Sequence, residues 1–476
     1  MNLTKQSRKK LARNSSKKFF ASLLFLFLLC SLPHVAQADI DLTADYIKYN
    51  MESSTGVANG NVHLSRGKDN IKGGTLNADF KNGSYILDKN ISGFLAEKEL
   101  YFFGDHMHWT HKDDNDIINL TGNVRFEHKT KAQDYDNTKT TKIYTDAVIG
   151  TTATMETKLD KFVLTGPVKA DIVSQRTKIF GDNLVWERAG EEKLNLDGNV
   201  RVERIAQKAS SKEKQLVTDT LTGNNALYLT QKDYLKLEGN VAGKIISQDA
   251  TSSCDTLTWQ KEAGGTAVEM LGSARINRFD GLETLAANRA KYIQLGEGYE
   301  LEDDVEMVTE TRHINCDKFI KHGKYFKGFN ITRFEDMKQQ YNARGEKLVG
   351  TLTKNSKTKE DEIAESTFSG NVYFEFTNKQ NQKNVITGDE ARYTKANDTV
   401  TVTGNPLATR SDGKKIKADQ FRVNLATKVY YAEGNAHLLY VKEDSKKNED
   451  VKTDKDQDKQ GEEKNSNEAE QVEKTL

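Results

Sequence analysis

A short pattern of glycine, asparagine and an apolar residue returns along almost the whole chain, and it limits the possible folds more than any other feature. It reads Gly60-Asn61-Val62, Gly122-Asn123-Val124, Gly198-Asn199-Val200, Gly239-Asn240-Val241 and Gly370-Asn371-Val372. Degenerate copies stand at Gly166-Pro167-Val168, Gly272-Ser273-Ala274, Gly404-Asn405-Pro406 and Gly434-Asn435-Ala436. Leu301-Glu302-Asp303-Asp304-Val305 fills the same slot without the glycine, and weak units near Asn90 and Asn330 fill the two largest gaps. Apolar residues alternate with others around each copy, as in Leu196-x-Gly198-Asn199-Val200-x-Val202. A period of two marks half-buried strands, and Gly-Asn permits positive φ or a tight bend at little steric cost.

A second signature lies upstream of each turn: apolar-x-small-Asp-x-apolar-x-aromatic or aliphatic. Examples are Leu42-x-Ala44-Asp45-x-Ile47-x-Tyr49, Phe102-x-Gly104-Asp105-x-Met107-x-Trp109, Ile179-x-Gly181-Asp182-x-Leu184-x-Trp186 and Ile386-x-Gly388-Asp389-x-Ala391-x-Tyr393. The leading apolar residue and the small residue share one parity, whereas the later apolar pair shares the parity of the aspartate. The alternation therefore slips by one at small-Asp, which predicts a bend or bulge, while Gly-Asn keeps the phase. The aspartate is expected to cap a local turn through its carboxylate. Each unit then reads strand, corner, strand, turn, strand, Gly-Asn bend, strand. About a dozen units of roughly 30 residues follow one another. The longest polar connectors, near 128–142, 205–215 and 376–384, all follow the Gly-Asn-Val strand, so they should lie on one edge of a stack. The fold class is all-β, a β-solenoid-like stack of repeats.

Proline cannot donate to a ladder, and beyond residue 38 the only prolines are Pro167 and Pro406, both inside the Gly-Asn turn. Cys254 and Cys316 occupy the small-residue slot two units apart. At about 4.8 Å per rung they would sit ~10 Å from one another, too far for a disulfide, and twelve rungs would make a rod of ~60 Å.

Residues 1–18 carry seven basic residues and no acid. An apolar run, Phe19 to Leu32, and the small-residue site Ala36-Gln37-Ala38 follow, which together describe a secretory signal peptide cleaved after Ala38. A retained membrane anchor is the other reading, although the run is shorter than the ~20 residues of a span. Leu29 before Cys30 argues against a lipoprotein site. Removing the signal takes seven charges from a balance of 70 basic and 70 acidic residues, leaving a net of −7 and no basic footprint for nucleic acid. Residues 442–476 are almost wholly Lys, Glu, Asp, Gln, Asn and Ser, the composition of a disordered charged tail. The repeat region is 39–441, as one stack or two sub-stacks.

No phosphate-cradling loop, nucleophile elbow, zinc-protease motif or Cys-x-x-Cys occurs. His106 and His108 share a strand face and could ligate zinc or copper, but the simpler reading gives the core face to Met107 and Trp109 and turns the histidines to water. No metal site, no cofactor and no catalytic residue is assigned, and the chain is read as not an enzyme. What remains is a continuous apolar strip. One row holds Val62, Leu64, Val124, Phe126, Val200, Val202, Val241, Val372 and Phe374; a second holds Ile47, Tyr49, Trp109, Trp186, Trp259, Tyr292, Tyr393 and Phe421. These residues either fill a closed core or line a groove for apolar ligands between two splayed sheets.

Small-Asp-x-apolar-x-Tyr followed by Leu-x-Gly-Asn-Val-x-Val resembles the OstA-like family, the organic-solvent-tolerance or LptA-type proteins of periplasmic lipopolysaccharide transport. The best stretches are Ala44 to Leu64, Gly104 to Phe126, Gly181 to Val202 and Gly388 to Asn405. The resemblance implies a β-jelly-roll stack, slightly open along one edge, whose interior binds lipid in the cell envelope. It would carry the acyl chains of lipopolysaccharide from the inner to the outer membrane, in service of outer-membrane biogenesis. It implies as partners the OstA-like domains of the inner-membrane exporter complex and of the outer-membrane translocon, and head-to-tail self-association through terminal strands. It implies lipid lining at Val62, Leu64, Val124, Phe126, Val200, Val202, Val241, Val372, Phe374, Trp109, Trp186 and Trp259. The chain departs from the family in its length, its charged tail and its lack of a C-terminal barrel. The competing readings are a structural or adhesive β-solenoid of the cell surface and, behind it, a carbohydrate-active β-solenoid enzyme.

Overall fold

A computed structural model describes residues 40–439 except 114, 136–138, 209–214, 263–264, 294–297 and 356–360. The expected signal peptide (1–38) and charged tail (442–476) lie outside the described residues. The strands follow in chain order as β1 (Ile40–Thr43), β2 (Tyr46–Asn50), β3 (Thr55–Arg66), β4 (Asp69–Asp79), β5 (Ser84–Leu95), β6 (Leu100–Lys112), β7 (Asn115–Gln133), β8 (Thr141–Glu156), β9 (Lys161–Ile172) and β10 (Thr177–Glu187). Next come β11 (Lys193–Gln207), β12 (Leu216–Leu229), β13 (Tyr234–Ile245), β14 (Ala250–Glu262), β15 (Gly265–Arg278), β16 (Glu283–Ile293), β17 (Gly298–Thr309), β18 (Arg312–His322), β19 (Tyr325–Asp336), β20 (Tyr341–Lys354), β21 (Asp361–Thr377) and β22 (Lys383–Thr394). The last are β23 (Thr399–Thr403), β24 (Leu407–Arg410), β25 (Lys415–Lys417), β26 (Gln420–Asn424), β27 (Val429–Glu433) and β28 (His437–Leu439). Helix among the described residues amounts to 3-10 turns of three residues.

From β3 to β22 every strand pairs antiparallel with the next. At one end β1 and β2 both pair with β3; at the other, β24–β25–β28 and β23–β26–β27 continue the ladder as split strands. Pro406 falls at the split between β23 and β24, where it interrupts the ladder. The sheet does not close on itself.

The long strands are folded over. Hairpins β3–β4, β5–β6 and so on define a near edge, and hairpins β4–β5, β6–β7 and so on a far edge. In a flat sheet of these strands the two edges would lie ~35–40 Å apart. Yet near-edge Arg66 bonds far-edge Asp116, with Nη1 3.2 Å from Oδ1. The chain must therefore bend midway along each strand, giving two layers with the apolar core between them.

The bend lies where the repeats predicted it, and its chemistry is shared between two strands. Gly198 and Asn199 both adopt left-handed φ, 72° and 49°, and Asp197 to Val200 on β11 face only Asn225 to Gly223 on β12. The extra residue is a bulge, and Leu196, Val200 and Val202 stay buried on one phase. On β10 the phase slips: Ile179 and Gly181 face the core before the exposed Asp182, and Leu184 faces it after. Contrary to the expectation from sequence, the aspartate does not cap a turn of its own. It accepts a hydrogen bond from the asparagine side chain of the bend beside it: Asn61 to Asp45 at 3.0 Å, Asn123 to Asp105 at 2.7 Å, Asn199 to Asp182 at 2.8 Å and Asn435 to Asp419 at 3.0 Å. The two signatures are halves of one latch. The weak copies keep it with altered partners, as Asn330 to Asp317 at 2.7 Å and Asn288 to Asp304 at 3.1 Å. Lys89-Asn90 and Asp303-Asp304 take the same left-handed pair of φ values without glycine.

Each unit contributes two strands to the ladder, not one rung. Cys254 on β14 and Cys316 on β18 are therefore four strands apart, ~19 Å rather than 10 Å, and the whole ladder is on the order of 110 Å long rather than 60 Å. Both thiols are free and buried. The polar connectors read as clustering on one edge do so, at β7–β8, β11–β12 and β21–β22 of the near edge.

Candidate functional site

The apolar strip faces inward. Val62, Leu64, Val124, Phe126, Val200, Val202, Val241, Val372, Phe374, Trp109 and Trp186 are buried, as are Tyr393 and Phe421. Trp259 is partly buried against the same core, and Tyr292 is intermediate. Ile47 and Tyr49 break the expectation: they are 44% and 51% exposed. They sit on β2, the outermost strand, which has no neighbour beyond it to form the opposing wall. Met107 and Trp109 take the core face, as expected. Outside, His106 Nδ1 meets the Asp88 carboxylate and His108 Nε2 lies 3.0 Å from Ser84 Oγ.

The interior is not uniform along the ladder. Toward β3 it is filled by rings: Phe126 and Phe162 meet edge-to-face at 5.1 Å, and Phe162 and Trp186 lie tilted at 4.7 Å. Toward β22 it is filled again, with Phe334–Tyr341 at 5.9 Å, Tyr341–Phe374 at 5.4 Å and Phe374–Phe376 at 5.8 Å. Between these blocks the facing pairs shrink. Phe102 opposes Phe126, Ile179 opposes Val202, Leu285 opposes Ile276 and Ile314 opposes Met307, but on β13 and β14 the equivalent pair is Gly243 and Ser252. A cavity of about 400 Å³ opens there, lined mainly by apolar groups such as Leu221, Leu257, Trp259, Val268 and Met270. That size lies within the ~300–1,000 Å³ of small-molecule sites, which likewise combine apolar walls with a few polar groups. Here the polar groups include Arg204, Asp219, Ser247, Gln248, Thr266 and Arg278.

The two edges face one another across a seam with no backbone ladder among the described residues, and side chains fasten it. Near-edge Arg66 grips far-edge Asp116 through both guanidinium nitrogens. The same carboxylate accepts from Trp109 Nε1 at 2.8 Å and lies 2.7 Å from His111 Nδ1. Burial alone would raise the Asp116 carboxyl, but the bonds from Arg66, Trp109 and His111 outweigh it and hold it below the usual carboxylate range. Farther on, Arg188 Nη2 donates to Lys98 O at 3.1 Å, Gln175 Nε2 to Thr230 O at 2.6 Å, and Arg204 binds Asp233 through two contacts of 3.1 and 2.8 Å. A further cross-seam fastening joins Lys338 to Glu362, 3.2 Å apart. The cavity lies between these two fastened stretches.

Sequence reasoning placed the strip but missed Leu221, Val268, Met270 and Leu285 as cavity walls. The signal was present as missing bulk: Gly243 stands where sister units carry Leu64, Phe126, Val202 or Phe374, and Ser252 where they carry Phe102 or Ile179.

Residues 41–150 match the family described as LptA/(LptD N-terminal domain) LPS transport protein, so the resemblance read from the repeats holds over that stretch. Among solved structures, the crystal structure of LptH, the LptA homologous periplasmic component of the lipopolysaccharide transport device from Pseudomonas aeruginosa, is similar at 12% identity; 38% of this chain and 93% of that chain are covered, with a TM-score of 0.19. No curated protein matches the chain.

Proposed function

We propose that this chain is a periplasmic carrier in lipopolysaccharide transport, which shelters acyl chains in the apolar interior of its folded-over sheet on their way to the outer membrane. One observation carries the reading: an unbroken apolar interior lies behind a seam that is held by side chains rather than by a hydrogen-bonded ladder, in a chain whose residues 41–150 match the transport family. Opening such a seam breaks ion pairs and leaves the sheet intact, so an acyl chain can enter sideways. Each methylene moved from water into the interior gains ~0.8 kcal/mol. Passage between like interiors is then close to neutral, and direction must come from partners at the two ends. In this reading Val62, Leu64, Val124, Phe126, Val200, Val202, Val241, Val372, Phe374, Trp109, Trp186 and Trp259 are lipid lining. The partners are the OstA-like domains of the exporter and the translocon, or a second copy docked on a terminal strand, and the chain performs no covalent chemistry. The signal peptide, the repeat region 39–441 and the charged tail belong to the same proposal.

The test is a photo-crosslinking amino acid placed in cells at Phe126, which faces the core, and at Arg125, which faces out. Lipopolysaccharide attached at 126 and not at 125 supports the carrier; attachment only at 125, or at neither, overturns it.

A further inference from the structure

The chain contains a longer internal duplication than the repeat itself. Thr145 to Trp186 returns 73 residues later as Thr218 to Trp259, with Asp146, Gly150, Leu164, Val168, Ser174 and Trp186 matched by Asp219, Gly223, Leu237, Val241, Ser247 and Trp259. The matching extends to side-chain bonds: Ser174 N donates to Asp146 Oδ1 at 2.9 Å, and Ser247 N to Asp219 Oδ1 at 2.8 Å. Differences between the copies therefore stand out. Ala170, Thr177 and Ile179 of the first copy become Gly243, Ala250 and Ser252 in the second. The space near Trp186 is about 130 Å³, and that beside Trp259 about 400 Å³.

The polar partners of the tryptophans differ as well. All three, Trp109, Trp186 and Trp259, hold the same slot near the far edge, and a near-edge basic side chain meets each ring: Arg66 at 5.3 Å, His128 at 6.0 Å and Arg204 at 4.2 Å. Trp109 Nε1 donates to Asp116 at 2.8 Å and Trp186 Nε1 to Glu192 at 2.9 Å. Each acid stands two residues before the tryptophan's cross-strand partner, Ile118 or Leu194. The partner of Trp259 is Val268, so the equivalent position is Thr266, a cavity-lining residue. Trp259 Nε1 is buried and has no acceptor among the described residues. A buried donor without a partner is costly, and here the cavity has gained room where the acid was lost.

We propose that the cavity spanning β11 to β17 is a seat for one fatty acyl chain, whose carboxylate or carbonyl oxygen accepts from Trp259 Nε1 beside the Arg204 guanidinium. Its size suits one chain at a time rather than a whole multi-acyl lipid. Free fatty acid and one acyl arm of a larger lipid share this chemistry, and the proposal depends on the carrier reading only for the second source.

The delipidated full chain is titrated with dodecanoate, decanoate and dodecyltrimethylammonium, following tryptophan fluorescence. One dodecanoate binds per chain, roughly fifteenfold more tightly than decanoate at about fourfold per methylene. The ammonium compound, which offers no acceptor, binds about tenfold or more weakly. Thr266→Asp restores the protein's own acceptor and lowers dodecanoate affinity about tenfold or more, and Ser252→Ile fills the cavity with the first copy's side chain and abolishes binding. Both variants restore what sister rungs already carry and should melt no lower than the parent; Trp259→Phe, which keeps the ring and removes the donor, serves if either misfolds. Unchanged dodecanoate affinity in folded T266D and S252I overturns the seat. Lipopolysaccharide capture at position 126 that survives while dodecanoate binding is lost supports the seat as a separate feature. Dodecanoate binding in a parent that never captures lipopolysaccharide leaves the seat standing and sinks the carrier alone.

Discussion

At the bend, backbone strain and a side-chain bond are divided between adjacent residues, and substitutions separate them. Gly122 has φ +72°, and a Cβ there would lie 2.5 Å from Asp105 Oδ2. Asn123, next to it, has φ +48° and donates to the same carboxylate at 2.7 Å. Asparagine tolerates left-handed φ better than other non-glycine residues, which explains why it, and not alanine, fills this slot. Gly122→Ala therefore incurs both strain and a clash, ~2–3 kcal/mol. Asn123→Gly loses only a solvent-exposed hydrogen bond, ~0.5–1 kcal/mol, with Asn123→Ala between them. Hydrogen exchange of the β6 and β7 amides should rank the three in that order; equal effects of Asn123→Gly and Gly122→Ala would show that the latch, not φ, governs the bend. The cysteines occupy the corner slot for their size. Burial pushes the Cys254 thiol up to about 11 and the Cys316 thiol up to about 12. Both should resist iodoacetamide at pH 8 in the folded chain and react once it is denatured, as mass spectrometry would read; rapid labelling of either without denaturant would contradict the corner geometry.

Strand phase was legible in the sequence because it is a local property: parity alone distinguished the small-Asp slip from the phase-keeping Gly-Asn bulge, and β10 and β11 follow it. Seam fastening was not legible, since Arg66 and Asp116 are 50 positions apart and meet only once the strands fold over. The same ignorance of neighbours misplaced Ile47 and Tyr49, whose alternation is sound but whose strand has no neighbour on its outer side. Asp116 supplies the pH dependence of this element. Its folded carboxyl is held below the ordinary range, so the bond stabilises fully above the unfolded value of ~3.9 and is lost as pH falls through the lower folded one. Acidification below about pH 4 should therefore loosen the β3–β7 end of the seam. Asp116→Asn, which leaves Arg66 with only the Asp69 carboxylate 3.9 Å away, should cost ~2 kcal/mol at neutral pH, below the cost of breaking a fully buried pair, and flatten that acid response. A local unfolding profile of the variant that kept the parent's slope below pH 4 would assign the response to other carboxylates.

Over the whole ladder, each bent strand pairs its backbone only with adjacent strands and reaches a few strands farther through side chains such as Arg66, so stability is close to a sum of local terms and a lesion at one rung leaves distant rungs standing. Function on that scale depends on what the interior holds at each rung. The aromatic blocks around Phe126–Phe162–Trp186 and Tyr341–Phe374–Phe376 hold their rings in mutual contact and leave much less room, about 130 Å³ beside Trp186, and a packed interior admits no chain without moving side chains. The middle rungs already hold about 400 Å³ of space. That contrast escaped a reading by apolar pattern, because Gly243, Ser252 and Thr266 signal by what they lack, and only the paired strands show which slots they empty. It sets a gradient for lipid capture. A crosslinker at Met270, on the cavity wall, should trap acyl chains in purified protein supplied with lipid, with no partner present. One at Phe374 should trap little under the same conditions and more in cells with the transport machinery running, because entry there requires the rings to part. Equal capture at both sites in purified protein would mean that the interior opens along its full length unaided. Capture at Phe374 alone would place the resting chain in the aromatic block and leave the open middle rungs without a lipid-holding role.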